Sequence, residues 1–284
     1  MNLWNRLCEK YDYEYLYDSG KDLIVYIPTR SNPDGLSRTL SMMYDKCTSI
    51  SNFDILVIVD EDQVGMYKKA KDRTRKFNNI IWCYPQHDSN DWWNIFNIRN
   101  EFLKANIYYF DALWTDDFVG LSPNWDKDIV SKKHYFEDDI FTLHQSKDGG
   151  GHQRLLKHYN KCYSEYGNHH ESVWRWSEAL PVTTRKLSLM IGEVIKPNYL
   201  TSQTEMLIAA VIMILYTEHG HNRLVNGGFS WDKLADGGRS DGIGLDGFKT
   251  KKNSFDDWTA NENYSVIRPI VEKINKIILG TNNE

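Results

Sequence analysis

Two stretches near the start of this chain, DLIVYIPTR at 22–30 and FDILVIVDED at 53–62, are apolar at almost every position until they reach a polar end. A strand with one wet face alternates apolar and polar side chains, whereas a strand that is apolar throughout needs cover on both faces. NIIWCYP at 79–85 and IYYFDALW at 107–114 repeat the pattern. Segments with helical spacing separate them. In SNPDGLSRTLSMMYDKC (31–47), Leu36, Leu40 and Met43 share a face, Ser31 or Asn32 can cap the start, and Pro33 fits the first turn. YKKAKDRTRKF (67–77) and WWNIFNIRNEFLKAN (92–106) are the next two helices. The order β-α-β-α-β-α-β predicts an α/β unit, a mostly parallel central sheet with helices on both faces. Ligands of such sheets bind beyond the carboxyl ends of the strands. Three polar clusters fall at those ends, Pro28-Thr29-Arg30, Asp60-Glu61-Asp62 and Asp116-Asp117, and the fold is expected to bring them to one edge.

The chain's 284 residues are ample for a real core. A hydrophobic share of 41% with 26% charged residues is ordinary for a globular protein and excludes a disordered one. Net charge is −5, so the basic face of a duplex DNA binder is not expected and a nucleic-acid partner is disfavoured. KKAKDRTRK at 68–76 fits the solvated face of a helix. Cys8, Cys47, Cys83 and Cys162 are scattered with no C-x-x-C, which argues against a zinc ribbon or a redox pair and for reduced thiols in a cytoplasmic setting. The first residues are charged and lack a signal-peptide core, and the longest apolar run, MLIAAVIMILY at 206–216, is too short to span a bilayer.

Beyond residue 130 the alternation blurs. IFTLHQ (140–145) is a candidate strand, SKDGGGHQR (146–154) a candidate mobile lid, and LPVTTRKLSLMIG (180–192) a turn leading into a short helix. TSQTEMLIAAVIMILYTEHGH (201–221) begins as a helix, but its second half is β-branched enough for a strand. Residues 226–247 are rich in Gly and Asp and read as loop, and NYSVIRPIVEKINKIIL (263–279) as an amphipathic helix that Pro269 starts or kinks. GIGLDG (242–247) matches a dinucleotide pattern but follows no strand and opens no helix, so it is read as loop.

Adjacent acids repel unless positive charge stands beside them. An acid pair ordinarily caps a following turn, and Asp138-Asp139 and Asp256-Asp257 are read so. Asp116-Asp117 differs in position, at the end of a strand on the ligand edge. There the expected positive charge is Mg²⁺ or Mn²⁺, hard cations that take carboxylate and phosphate oxygens and typically only one or two protein carboxylates. Glu218-His219-Gly220-His221 is either a polar turn or the source of a third metal ligand. Glu205 is either a first-turn acid on a helix dipole or a general base raised by partial burial.

Taken in order, VYIPTRSNPDGLSRTLSMM, ILVIVDED, NIRNEFLKANIYYFDALWTDDFVGLSPNWD, ALPVTTRKLSLMIG and TEHGH resemble nucleotide-sugar glycosyltransferases of the GT-A fold, in the family-2-like branch that opens on Pro-Thr-Arg. The third of these stretches has an acid pair followed by a Trp-Asp dipeptide, here Trp125-Asp126. The resemblance implies a role for each matching residue. Pro28, Thr29 and Arg30 would line the nucleotide pocket, and Asp60 would accept a hydrogen bond from the base, uracil. Asp116 would face the ribose or the metal and Asp117 would bind the metal, with His219 or His221 completing its site. The chain has Thr115-Asp116-Asp117 in place of a clean Asp-x-Asp, which leaves open which acid touches the metal. Gln203 and Glu205 stand nearest to the family's base, and Glu205 is the candidate.

The same resemblance implies a division into an extension at 1–21, a nucleotide-sugar-binding half at 22–130, and an acceptor-side half with a closing helix at 131–284. The implied reaction moves a sugar from a nucleoside diphosphate sugar, UDP-linked, to the hydroxyl of an acceptor such as a glycan, lipid-linked sugar, protein or modified base, with inversion. Two other readings stand beside it. A sugar-nucleotide nucleotidyltransferase would open on a glycine-rich basic loop, and IPTRSNPDG offers only Gly35 and Arg30. A non-catalytic nucleotide- or carbohydrate-binding module is compatible with the ten Trp, seventeen Tyr and eleven Phe.

Overall fold

A computed structural model of the chain describes residues 20–85, 91–116, 118–145, 182–192, 208, 211, 212, 214–216, 218–233 and 262–281. The strands are β1 Leu23–Thr29, β2 Phe53–Val59, β3 Ile80–Cys83, β4 Phe110–Leu113, β5 Phe118–Leu121, β6 Thr142–His144, β7 Val182–Thr184, β8 Leu224–Asn226 and β9 Trp231–Lys233. The helices are α1 Pro33–Lys46, α2 Val64–Thr74, α3 Asp91–Ala105, α4 Trp125–Val130, α5 Arg185–Gly192 and α6 Glu262–Ile278. Seven strands form one sheet in the order β3-β2-β1-β4-β7-β6-β8, and β5 pairs with β9 in a small second sheet. β1 runs parallel to β2 and β4, and β2 to β3. β7 is antiparallel to both of its neighbours, and β6 and β8 are parallel. This is the α/β architecture that the alternating pattern predicts.

The unbroken apolar runs follow from period-two geometry. Leu23, Val25 and Ile27 of β1, with Phe53, Ile55, Val57 and Val59 of β2, pack against Leu36, Leu40 and Met43 of α1 and Tyr67 and Ala70 of α2. The intervening residues, Ile24 and Tyr26 of β1 with Leu56 and Ile58 of β2, point the other way and pack with Ile98, Phe102 and Leu103 of α3. Both faces are covered, so neither strand has a position left for a polar side chain facing water.

Between β4 and α3 the core holds a buried ionic cluster. Arg99 of α3 lies against Asp111 of β4, its Nε donating to Asp111 Oδ2 at 2.5 Å. Ser188 of α5 donates to Asp111 Oδ1 at 2.5 Å and accepts from Arg99 Nη2 at 3.0 Å. Three elements are thereby joined through groups that satisfy one another, as burial of charge demands.

Asp126 is fully buried and faces away from the ligand edge. Its carboxylate accepts from Thr48 N at 2.7 Å, Ser49 N at 3.0 Å and Asn52 Nδ2 at 2.8 Å, holding the turn between α1 and β2. The preceding Trp125 packs on Phe53 and Trp114 and donates from Nε1 to Met43 O at 3.0 Å. The Trp-Asp dipeptide is thus a structural clasp. Asp126→Ala should lower the free energy of unfolding by about 2 kcal/mol, because it removes three hydrogen bonds to a charged acceptor. Urea unfolding checks this, and a midpoint equal to that of the parent would show that the turn is held by other contacts.

Several expectations change. Val182–Thr184, expected in a turn, is the strand β7. Within 201–221, Val211, Ile212, Ile214, Leu215 and Tyr216 are helical, so burial overrides the β-branched character that suggested a strand. Trp231–Lys233 interrupts the expected 226–247 loop as β9, and of the two places expected for Pro269 it takes the one inside α6. The sheet continues beyond β4 through β7, β6 and β8. The 1–19, 146–154 and 242–247 segments lie outside the described residues.

Candidate functional site at the carboxyl edge of the sheet

Strand register dictates what meets at this edge. Thr29 is paired with Val59, so the next residues, Arg30 and Asp60, leave their strands side by side. β4 pairs with β1 up to Leu113 and Tyr26, and Trp114 N adds one more bond to Tyr26 O at 2.8 Å. Carried on past that point, the register sets Asp116 across from Thr29. Pro28, which has no N–H to give, lies beyond the last β1–β4 pair.

The side chains complete what the register begins. Arg30 binds Asp60 through Nη1 and Asp62 through Nη2, the latter at 3.1 Å. Burial pulls the Arg30 guanidinium down, but the hydrogen bonds and charges of Asp60 and Asp62 outweigh it and raise its pKa above the ordinary value. Asp116 is only 7% exposed, and its Oδ2 accepts from Thr29 Oγ1 at 2.5 Å. Thr29 Oγ1 also lies 2.7 Å from the hydroxyl of Tyr67 in the first turn of α2. That hydroxyl accepts from Asn32 N at 3.0 Å.

Asn32 ties the edge to α1. Its Oδ1 accepts from Gly35 N at 3.1 Å as the helix cap, and its Nδ2 donates to Asp116 O at 3.4 Å. An added Cβ at Gly35 would lie 2.2 Å from Asn32 Nδ2, so glycine here makes room for the cap. Ser31, at φ 57°, takes the left-handed turn between β1 and α1 and donates from N to Gln63 Oε1 at 3.2 Å.

Of the expected site residues, Thr29, Arg30, Asp60 and Asp116 come together at this edge, with Pro28 in the strand below them. His219 and His221 contact α6. His221 Nε2 is 2.9 Å from Asn275 Oδ1, and His219 Nε2 is 3.7 Å from Glu272 Oε1. Glu218 pairs with Arg268 of the same helix at 3.3 Å. Glu218 and His219 end a helical stretch, and Gly220 at φ 73° supplies the reversal that follows it. Asp117 and Glu205 lie outside the described residues. Asp138 accepts from Ile140 N at 2.9 Å, the turn-capping part expected of it. Asn32 and Tyr67 have no signal in the sequence as site residues. Asn32 was foreseen only as a cap, and Tyr67 only as part of a helix.

Among the described residues, no group of three or more His, Cys, Asp or Glu is arranged to hold a metal ion. Asp116 is an oxygen donor at the edge, and a carboxylate has about four lone-pair sites to share among its partners. A hard cation held mainly by phosphate and water oxygens fits that donor set. A separate cleft of 520 Å³ runs between α1 and α2 beside Arg38 and Arg73 and contains none of the edge residues. No described helix is long and apolar enough to cross a membrane.

No protein-family model matches the sequence, and no curated protein matches it. Solved structures do resemble it. The crystal structure of S. aureus TarS 1–349 is similar with a TM-score of 0.45 and 12% identity, over 67% of this chain and 55% of that one. Glucosyl-3-phosphoglycerate synthase from Mycobacterium tuberculosis, in complex with Mn²⁺, UDP and phosphoglyceric acid, is similar with a TM-score of 0.48 and 10% identity, over 88% of this chain and 79% of that one. The same enzyme with Mn²⁺, UDP-glucose and phosphoglyceric acid gives 0.45 and 9%, over 76% and 73%. Likenesses at these identities and scores identify no activity for this chain.

Proposed function

We propose that this chain is a GT-A-type glycosyltransferase that moves a sugar from a nucleoside diphosphate sugar, UDP-linked, to an acceptor hydroxyl with inversion. The observation that carries this reading is the meeting of Thr29 with Asp116 and of Arg30 with Asp60 at the carboxyl ends of adjacent parallel strands. That edge is where sheets of this class take nucleotides. Asp60, oriented by Arg30, accepts a hydrogen bond from the base, and its acceptor-only carboxylate suits the N3–H of uracil.

Asp116 would face the ribose or the metal, and Asp117, outside the described residues, would bind Mn²⁺ or Mg²⁺. Such an ion, when bound, neutralises charge on the leaving diphosphate. Phosphate and water oxygens suit its other positions. Glu205 takes the acceptor's proton as the acceptor oxygen bonds to the anomeric carbon and the bond to the diphosphate oxygen breaks. The scattered cysteines, with no C-x-x-C, support a reducing, cytoplasmic setting.

A thermal-shift series with UDP, UDP-sugars and the other nucleoside diphosphates, each with and without Mn²⁺, tests this. At a hundredfold excess over the dissociation constant, a ligand of the native state contributes about 2.7 kcal/mol, a rise of roughly 5 °C for a chain of this size. Uridine ligands with Mn²⁺ are expected to give that rise. A series flat for every nucleotide would remove the reading.

A further inference from the structure

The hydrogen bonds behind Asp116 admit one arrangement of protons. Asn32 N–H can only donate, so the Tyr67 oxygen accepts from it at 3.0 Å. The single proton of Tyr67 then goes onward to Thr29 Oγ1 at 2.7 Å. Thr29, already receiving, turns its own proton to Asp116 Oδ2 at 2.5 Å. Each hydroxyl has one proton and each is committed. Tyr67 is 1% exposed, and burial pushes its phenol up, against weaker downward pulls from Thr29 and Asn32, so it keeps the proton that it must give. The chain is directional and enclosed, and it starts at the cap of α1 and ends on a carboxylate at the ligand edge.

We propose that Tyr67 is a positioning residue which, through Thr29, fixes the rotamer of Asp116 so that its carboxylate is preset for the cation–diphosphate end of the donor. The proposal rests on the glycosyltransferase reading and adds to it a residue that touches no ligand. A preset acceptor binds with less ordering than a free one, so the effect falls on donor binding. A charge-assisted hydrogen bond in a buried site is sensitive to the group behind it, because bonded chains polarise one another.

Three variants separate positioning from packing. Tyr67→Phe keeps the ring and removes the relay proton. Thr29→Val keeps the shape of Thr29 and removes its hydroxyl, whereas Thr29→Ser keeps the hydroxyl. Titration calorimetry with UDP and Mn²⁺ should give binding about tenfold weaker for Tyr67→Phe and Thr29→Val, with Thr29→Ser near the parent. In steady state, KM for the donor should rise with kcat and the acceptor KM nearly unchanged. A purely structural hydroxyl would lower the melting temperature and leave the UDP–Mn²⁺ dissociation constant alone. Parent-like binding by Tyr67→Phe, or Thr29→Ser as weak as Thr29→Val, overturns the relay while leaving the glycosyltransferase reading intact. A parent protein that binds no nucleoside diphosphate overturns both.

Discussion

Asp116→Asn is expected to cut sugar transfer by about a hundred- to a thousandfold while the protein keeps its fold. Asn has the shape of Asp and an oxygen that can still accept from Thr29, so the edge stays packed. What it lacks is the negative charge. Asp116 sits on the edge at 7% exposure, where water screens little and a missing charge is felt strongly. If that charge helps to hold a cation on the diphosphate, the loss should deepen as Mn²⁺ is lowered and partly recover as it is raised. Initial rates over a Mn²⁺ series, with a circular-dichroism melt as the folding control, make the measurement. Transfer within threefold of the parent at every Mn²⁺ concentration would remove Asp116 from the reaction.

The largest expected effect on stability lies elsewhere. Asp111→Ala should cost about 4 kcal/mol, because it leaves the Arg99 guanidinium buried without its partner. Arg99 and Asp111 are 4% and 0% exposed, so water offers little compensation. Replacing the whole cluster, Arg99→Met with Asp111→Leu and Ser188→Ala, should cost far less, since no polar group is then stranded. The reciprocal single change carries a pH signature. Burial pushes the Asp111 carboxyl up, against the charge of Arg99 and the hydrogen bonds from Ser188 and Arg99, which pull it down. In Arg99→Met the largest opposing pull is gone and the carboxyl rises further. The folded state then holds a proton that the unfolded state has released above about pH 4. The penalty should therefore be smallest in acid and grow as pH rises toward the folded value. Urea unfolding from pH 4 to 8 reads it, and a penalty that shrinks with rising pH would contradict the assignment.

How much of this was legible depended on element length. β1 and β2 each have seven residues, long enough for an unbroken apolar run to stand out, and Asn32 with Pro33 marked the start of α1 within a residue. β7, β8 and β9 have three residues each, too few to carry a period. Val182–Thr184 is a strand because β4 and β6 leave a slot between them, a fact no local window contains. The convergence of Thr29, Arg30, Asp60 and Asp116 was readable because register follows from parallel strands. Tyr67 was not, because its hydroxyl matters only through a partner 38 residues away. For His219 and His221 the pattern spoke of ligands. Which surface they meet is set by α6, some 50 residues later, and spacing within a tetrapeptide carries no such information.

The antiparallel β7 wedged beside β4 bears on how such a protein can change over time. A strand from the later part of the chain completes the sheet of the earlier part, so cutting near residue 130 would bare the flank of β4 as an adhesive border. The two portions are one folding unit, and recombination cannot shuffle them like beads on a string. New preferences for an acceptor would have to arise by remodelling the connections around an indivisible frame.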